Sequence, residues 1–218
     1  MGRLLDKLKH HYDNPNYLYL LLSQILLIIL PPLADIYQLG VIAMDITYGL
    51  VILIAIIFTA TSFRQLVVFG IVGGINYLLF LVYNFSDTYL ILGVLFTLIF
   101  FSLVFRNIVY YILKMGKVTV NEIYACSAGY LLLGVIGSSI FFLLSQSFDV
   151  NLSDVDPSNF YDHLYFSYIT ITAVGYGDII PHHPIAKTVS IIFGIAGQLY
   201  LTILVAVIIG RYLVSRNK

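Results

Sequence analysis

Charged residues are scarce in this sequence. Only 10% of its 218 residues are Asp, Glu, Lys or Arg, whereas 60% are hydrophobic and the mean hydropathy is +0.96. In soluble domains about a quarter of the residues are charged, and a soluble helical protein with so few charges would expose large apolar patches and aggregate. The shortage of charge therefore excludes a soluble domain and predicts a membrane protein.

Cysteine and catalytic motifs are nearly absent as well. The single cysteine, Cys126, lies in an apolar stretch, so it allows no disulfide within the chain and is expected to be a small core residue. The sequence contains no H-E-x-x-H motif and no Cys–His metal pattern. Asp162 and His163 precede Ser167, but the G-x-S-x-G setting of a serine nucleophile is missing. We therefore expect no enzymatic activity, no cofactor and no nucleic-acid partner.

Six long apolar runs are present instead, each near the roughly 20 residues that cross about 30 Å of hydrocarbon. Backbone polar groups in lipid must be satisfied within their own segment, so these runs are predicted to be helices. Their predicted ranges are 17–35, 42–63, 65–84, 88–106, 122–146 and 185–212. A further segment, 160–171, is too short to cross and suits a re-entrant half-helix. The predicted fold class is an all-α membrane protein, with a four-helix N-terminal bundle followed by a helix, half-helix, helix module.

The distribution of charge along the chain predicts its orientation. If both termini lie inside, ten of the eleven basic residues fall on the inner side and only Lys187 falls outside. Eight of the eleven acidic residues then fall outside. The even number of helices and the charge distribution therefore agree on a multi-pass protein of the cell membrane with both termini in the cytoplasm.

A glycine-containing motif follows the half-helix. Residues 170–178 read T-I-T-A-V-G-Y-G-D, with glycines at the alternate positions 175 and 177. Glycine takes dihedrals that a Cβ forbids, so successive carbonyls can point the same way instead of alternating as they do in a strand. A ring of such carbonyls, one strand from each subunit, can replace the water shell of a dehydrated cation.

The motif resembles the potassium-channel signature, whose usual core is T-V-G-Y-G, and residues 122–212 resemble the helix, pore helix, filter, helix unit of six-helix potassium channels. The resemblance implies a homotetramer, because each chain carries a single filter strand. It implies that K⁺ is coordinated by the backbone carbonyls of a filter made of Thr172, Ala173, Val174, Gly175, Tyr176 and Gly177. It further implies filter support from Tyr165, Phe166, Thr170 and Asp178, an inner-helix hinge at Gly197, and a cavity lined by Gln198, Leu201 and Val205. Gly197 could serve bending or only close packing, and Gln198 could be a plain interhelical hydrogen-bonding residue.

Three residues depart from the family pattern. Ala173 stands where a threonine is usual, so the hydroxyl that completes the innermost ion site is missing, and we expect a weaker site with selectivity largely kept. A less selective channel that passes both K⁺ and Na⁺ is the alternative that this residue leaves open. Ile169 replaces a carboxylate present in some members, so slow inactivation driven by that carboxylate should be absent. Tyr165 replaces a common tryptophan, and its hydroxyl could reach Asp178.

The first four helices occupy the place of a voltage sensor without carrying its charges. A sensor needs several arginines at three-residue spacing, and the fourth run carries only Arg106. Asn76 in the third run is expected to make an interhelical hydrogen bond. The predicted divisions are an interfacial or cytoplasmic segment 1–16, the bundle 17–106, an amphipathic linker 107–121, the pore module 122–212 (pore helix 160–171, filter 172–177, inner helix 185–212) and a cytoplasmic tail 213–218. Lys114 and Lys117 are candidates for contact with anionic lipid, and Asp156, Pro157 and Ser158 are candidates for capping the half-helix.

Overall fold

The part of the chain that the structure describes folds into seven helices. The computed structural model describes residues 16–60, 62–82, 87–114, 119–148, 150, 152–153 and 159–216. The helices are α1 (Tyr17–Asp35), α2 (Gly40–Thr59), α3 (Phe63–Val82), α4 (Asp87–Lys114), α5 (Val120–Phe148), α6 (Phe160–Ile171) and α7 (Pro184–Arg216). Apart from an isolated bridge between Leu152 and Pro181, the regular secondary structure of these residues is helical. The predicted all-α membrane fold is confirmed.

Five of the helices are long and apolar enough to cross a membrane within the described residues, namely α1, α2, α4, α5 and α7. The remaining predicted span, α3, contributes a shorter apolar stretch, Phe63–Leu79, to that part of the chain. With 12 residues, α6 is too short to cross. The predicted segment 1–16 lies almost entirely outside the described residues, which begin with Asn16, the N-cap of α1.

Helices α2, α3 and α4 share a buried cluster of three polar side chains. The Tyr48 hydroxyl lies 2.7 Å from Thr97 Oγ1. The Asn76 amide donates to the Tyr48 hydroxyl over 3.2 Å, and Asn76 Oδ1 accepts from Thr97 over 2.9 Å. Polar groups at membrane depth must find partners within the protein, and these three side chains satisfy one another. The prediction that Asn76 makes interhelical hydrogen bonds is confirmed.

Helix α4 continues two turns beyond its predicted end. The sequence prediction ended this helix at Arg106 and assigned 107–121 to a separate linker, whereas the helix runs unbroken to Lys114. Asn107, Ile108 and Ile112 are buried, so packing continues to stabilise the helix past Arg106. The described part of the predicted linker is therefore mainly an extension of α4, and Lys117 lies outside the described residues.

A polar network joins the start of α5 to α4 and α1. Thr119 and Glu122 form one half of a capping box: the Thr119 backbone N–H donates to the Glu122 carboxylate over 2.7 Å, and the Thr119 hydroxyl donates to the same carboxylate. Tyr111 of α4 donates its hydroxyl to the same carboxylate, and the Asn121 amide donates to that hydroxyl, each over 3.0 Å. The first N–H of α1, on Tyr17, donates to Asn121 Oδ1 over 3.0 Å. The starts of α1 and α5 and the end of α4 therefore lie together.

The C-terminal end of α7 reaches the same region through Arg211. Its guanidinium donates to the carbonyls of Ile112 and Leu113, in the last turn of α4, over 3.3 and 2.9 Å. Carbonyls in the last turn of a helix carry the negative end of the helix dipole, so an arginine is well suited to them. Helix α7 continues to Arg216, and most of the predicted tail 213–218 is helical.

Candidate functional site

The half-helix α6 has the predicted bounds, Phe160–Ile171, but a different cap. Its N-cap is Asn159, whose side-chain oxygen accepts the Tyr161 backbone N–H over 3.0 Å. The prediction that Asp156, Pro157 and Ser158 supply the cap is therefore wrong at the cap position, and those three residues lie outside the described part of the chain. An asparagine two residues before that N–H has the geometry that satisfies the first orphan donors of a helix.

Small residues of α5 let α6 approach closely. A Cβ on Gly134 would overlap the Tyr168 ring, and a Cβ on Gly137 would overlap the Ser167 hydroxyl. The Ser167 hydroxyl donates to the Gly134 carbonyl over 2.7 Å, and the Tyr168 hydroxyl donates to the Leu131 carbonyl over 2.8 Å. The glycines thus create the recess in which α6 sits, and the hydroxyls fix its position there.

The end of α6 is held by a tyrosine of α5. The Tyr130 hydroxyl donates to the carbonyl of Ile171, the last residue of α6, over 3.0 Å. This bond satisfies one of the carbonyls that a helix leaves open at its C-terminus. It also fixes the point from which the 172–178 loop departs.

The backbone of this loop alternates in the sign of φ. Ala173, Gly175 and Gly177 have φ values of 57°, 51° and 80°, whereas Val174 and Tyr176 between them are not in the left-handed region. With this alternation, successive carbonyls can point to the same side instead of to opposite sides as they do in a strand. The sequence predicted it at the two glycines, but Ala173 extends it by one step even though it carries a Cβ. A non-glycine residue there is strained by about 1–2 kcal/mol.

The N–H groups of the loop turn back toward α6. The N–H groups of Val174 and Gly175 both donate to the Ile169 carbonyl, over 3.1 and 3.2 Å, and the Ala173 N–H donates to the Thr170 carbonyl over 3.1 Å. Within the described residues, no carbonyl oxygen of 172–177 accepts a hydrogen bond. The N–H groups of the loop therefore donate to α6, and its carbonyl oxygens stay available as acceptors.

The predicted filter-support residues lie around this loop. Phe166 is buried, with its ring 4.8 Å from that of Phe141 in an edge-on arrangement. The Tyr165 hydroxyl donates to Asp178 Oδ2 over 2.6 Å, a contact that the sequence predicted. The Thr170 hydroxyl donates to the Phe166 carbonyl over 2.7 Å. The Thr172 hydroxyl returns in the same way to the Tyr168 carbonyl.

The carboxyl of Asp178 has a lowered pKa. The hydrogen bond from Tyr165 holds the pKa of its carboxyl below the ordinary value, and the backbone N–H groups of Asp178 and Ile179 act in the same direction. A hydrogen bond to the charged form of an acid favours that form. The loop therefore ends on a fully exposed negative charge whose side chain is held in place.

Helix α7 passes directly behind the end of α6. A Cβ on Gly197 would overlap the carbonyl oxygen of Ile171 and lie 2.9 Å from its carbonyl carbon. Glycine is therefore required here for close packing, and the helix is continuous through this position. The predicted cavity residues Gln198, Leu201 and Val205 are exposed on α7 in the single chain.

Sequence reasoning did not find several residues that position the site. Tyr130, Tyr168 and the Ile169 carbonyl each hold α6 or the loop. The available signals were the 18 tyrosines, many for a chain without tryptophan, and the glycines 134 and 137 of the fifth run. Neither signal says which hydroxyl meets which carbonyl.

Residues 129–214 match a family model described as an ion channel, and this match includes all of α6 and the 172–178 loop. No curated protein and no solved structure matches the chain significantly. Among the residues that the structure describes, no group of three or more His, Cys, Asp or Glu side chains is placed to hold a metal ion. Together with the apolar helices, the match indicates an ion-channel domain within residues 129–214 of this membrane protein.

Proposed function

We propose that this protein is a potassium-selective channel that conducts K⁺ passively through a pore shared by four copies of the chain. The observation that carries the proposal is the alternation of φ at Ala173, Gly175 and Gly177, combined with N–H groups that bond to α6 and carbonyls that accept no hydrogen bond in the described residues. A row of carbonyl oxygens that accept no hydrogen bond can replace the hydration shell of a potassium ion. The residues that would coordinate K⁺ are those of 172–177.

The exposed surface of α7 supports a tetramer. One filter strand cannot enclose an ion, so several copies must meet at an axis. In the single chain only 11% of the most apolar 18-residue stretch of α7 is buried, compared with 56% of the corresponding stretch of α5. Val174 and Tyr176 of the filter are 51% and 74% exposed. These surfaces are where neighbouring copies would pack, with Gln198, Leu201 and Val205 toward the central cavity.

The half-helix favours a cation in that cavity. A helix dipole places roughly −0.5 elementary charge at its C-terminal end. In a tetramer four copies of α6 would each direct such an end toward the axis. Their combined field would stabilise K⁺ at the depth where a bare ion is otherwise most unfavourable.

The buried face of α4 supports weak or absent voltage gating. A sensor helix would place arginines at every third position facing the bundle. The corresponding buried positions here are Thr97, Phe100, Val104 and Asn107, all neutral, and Arg106 is exposed. The Tyr48, Asn76 and Thr97 cluster occupies the bundle interior without any charge. We expect the open probability to change little between −100 and +100 mV, since no buried charge would move.

Orientation and lipid contact follow from the basic residues. The proposed protein lies in the cell membrane with both termini cytoplasmic, so that the ends of α4 and α7 face the inner leaflet. Lys114 is exposed and its Nζ lies 4.3 Å from the centre of the Tyr110 ring. We propose that Lys114, with Lys117, contacts anionic lipid headgroups.

Reversal potentials of the purified protein in liposomes test the function. Mixed K⁺ and Na⁺ gradients should give a reversal potential close to the K⁺ equilibrium value. Gly175→Ala, at φ +51°, should abolish selective flux, whereas Gly210→Ala, around which the described atoms leave space, is the matched control. Absence of K⁺ flux in the wild type, or a monomeric particle in detergent, would overturn the proposal.

The alternative is a channel that passes Na⁺ as well as K⁺. The observation that favours it is the missing hydroxyl at Ala173, which would leave the innermost ion more hydrated. A reversal potential midway between the K⁺ and Na⁺ equilibrium values would select this alternative. Such a result would keep the channel assignment and remove the selectivity.

A further inference from the structure

A hydrogen bond links the first helix to the start of the pore helix. The Tyr161 hydroxyl donates to the backbone carbonyl of Ile28 in the middle of α1, over 3.1 Å. In an unbroken helix that carbonyl accepts the N–H four residues later. The residue four positions later is Pro32, which has no N–H. The proline therefore leaves an acceptor at membrane depth, and the tyrosine satisfies it.

This hydrogen bond spans a gap between the backbones of α1 and α6. In the described residues no Cα of α1 lies within 8 Å of a Cα of α6. A cleft of about 130 Å³ separates them, lined by Ile28, Tyr161, Leu164, Tyr165 and Tyr168. Because packing across this cleft is incomplete, the long tyrosine side chain is the direct polar tie between the two helices.

The tie acts on the outer end of α6, where the Phe142 ring of α5 also packs against Phe160 and His163. Tyr161 lies in the first turn of α6, whereas Tyr168 and Ile171, at the other end, are bonded to α5. A 12-residue helix is about 18 Å long, so a tilt at one end is transmitted to the other. The filter loop bonds to Ile169 and Thr170 near that other end. The orientation of α6 therefore sets the position of the filter.

We propose that α1 supports the pore by holding the pore helix in position. The Ile28 carbonyl, which Pro32 leaves without a helical N–H, accepts the hydrogen bond from Tyr161. This bond fixes the orientation of the pore helix and so keeps the filter in its conducting geometry. Tyr161 is a positioning residue, because it touches the Ile28 carbonyl and no permeant ion. The proposal rests on the proposed function for its effect on conduction. The hydrogen bond itself can be tested separately.

The test is a double-mutant cycle between Tyr161→Phe and Pro32→Ala in the full-length protein. Tyr161→Phe removes one oxygen atom, and Pro32→Ala supplies an N–H that competes for the Ile28 carbonyl. Each single variant should lower K⁺ flux several-fold and raise the Na⁺ to K⁺ permeability ratio, and the double variant should be no worse than either. Pro31→Ala is the matched control, because it supplies an N–H to the neighbouring Leu27 carbonyl and not to the Ile28 carbonyl, and it should leave flux and selectivity unchanged.

Thermal unfolding of the same four proteins provides a readout that does not depend on conduction. A hydrogen bond between membrane helices corresponds to a coupling of about threefold in the unfolding equilibrium constant. Coupling without any change in selectivity would show the bond and refute its role in the filter. Additive effects in both readouts would refute the bond. If the wild type conducts no K⁺, the proposed function fails, and the stability cycle alone decides whether α1 holds α6.

Discussion

Gly197 of α7 and the carbonyl of Ile171 are in such close contact that no other residue type fits at position 197 without displacement of the backbone. The contact joins the last residue of the half-helix to the middle of the inner helix. It assigns to Gly197 a packing role that holds in the continuous helix, whether or not the helix also bends there. Any rearrangement of α7 at this point would act directly on the base of the filter.

Gly197→Ala should destabilise the protein, whereas Gly194→Ala should not. The new methyl at 197 would meet backbone atoms, and overpacking of this kind costs about 1–3 kcal/mol. A Cβ at Gly194 would lie 3.8 Å from the Thr170 carbonyl oxygen, which is ordinary contact. Alanine there would gain up to about 1 kcal/mol of helix propensity. Thermal unfolding of the two variants measures the difference, and equal midpoints would contradict the packing role.

Ala173→Thr should strengthen K⁺ binding at the inner end of the filter. A hydroxyl oxygen that coordinates the ion contributes about 0.5–1.5 kcal/mol, which is about a three- to tenfold gain in affinity. Calorimetric titration of K⁺ into the purified tetramer measures this gain.

 Ala173→Val is the matched control, since it is close in shape to threonine but lacks the hydroxyl, and it should leave the affinity unchanged. Four equally occupied ion sites in the wild type would contradict the expectation that the innermost site is weak.

Arg211→Gln should loosen the C-terminal end of α7 from α4. The guanidinium donates to two carbonyls at the end of α4, and its loss should lower the free energy of unfolding by about 1–2 kcal/mol. Arg211→Lys should keep part of that stability, because it keeps the charge at the negative end of the helix dipole.

Arg106→Gln controls for the loss of one positive charge, because Arg106 is exposed on α4, the helix whose carbonyls accept the bonds from Arg211. Denaturation of the three variants side by side measures the effect. If Arg211→Gln and Arg106→Gln were equally stable, the bonds to α4 would contribute nothing.

Tyr165→Phe should raise the pKa of Asp178 toward its ordinary value of 3.8. Because the folded-state pKa of Asp178 is lowered, its contribution to stability is complete above the ordinary value and is lost as the pH falls through the folded-state value. Without the hydroxyl, that loss should begin at a higher pH. Carbon-13 titration of the Asp178 carboxyl measures the shift, and Asp178→Asn removes the signal as a control. An unchanged titration in Tyr165→Phe would show that the hydrogen bond does not form in solution.

The sequence was informative wherever a pattern depends on neighbouring residues. The bounds of α6 follow from a short apolar run between polar loops, and the left-handed dihedrals at Gly175 and Gly177 follow from the absence of a Cβ. The contact between Tyr165 and Asp178 also followed, since both residues belong to the motif and its helix.

Prediction failed where distant residues decide the outcome. The end of α4 was placed at Arg106 because charge marks the edge of a membrane span, but burial of Ile108 and Ile112 carries the helix to Lys114. The cap of α6 was placed too early because several polar residues precede the helix, and it is Asn159 that accepts an N–H of its first turn. Local composition does not distinguish these alternatives.

Composition, charge sorting and the 170–178 motif are properties of the chain alone; they determined that this is a helical membrane protein, and they predicted a cation-coordinating backbone segment. Only the tertiary structure decided which groups hold that segment in place: the Ile169 carbonyl, the tyrosine hydroxyls of α5 and α6, and the carbonyl that Pro32 leaves open in α1. The physical reason is that a hydrogen bond between helices depends on their relative position, which packing of the whole molecule fixes and which no local spacing encodes.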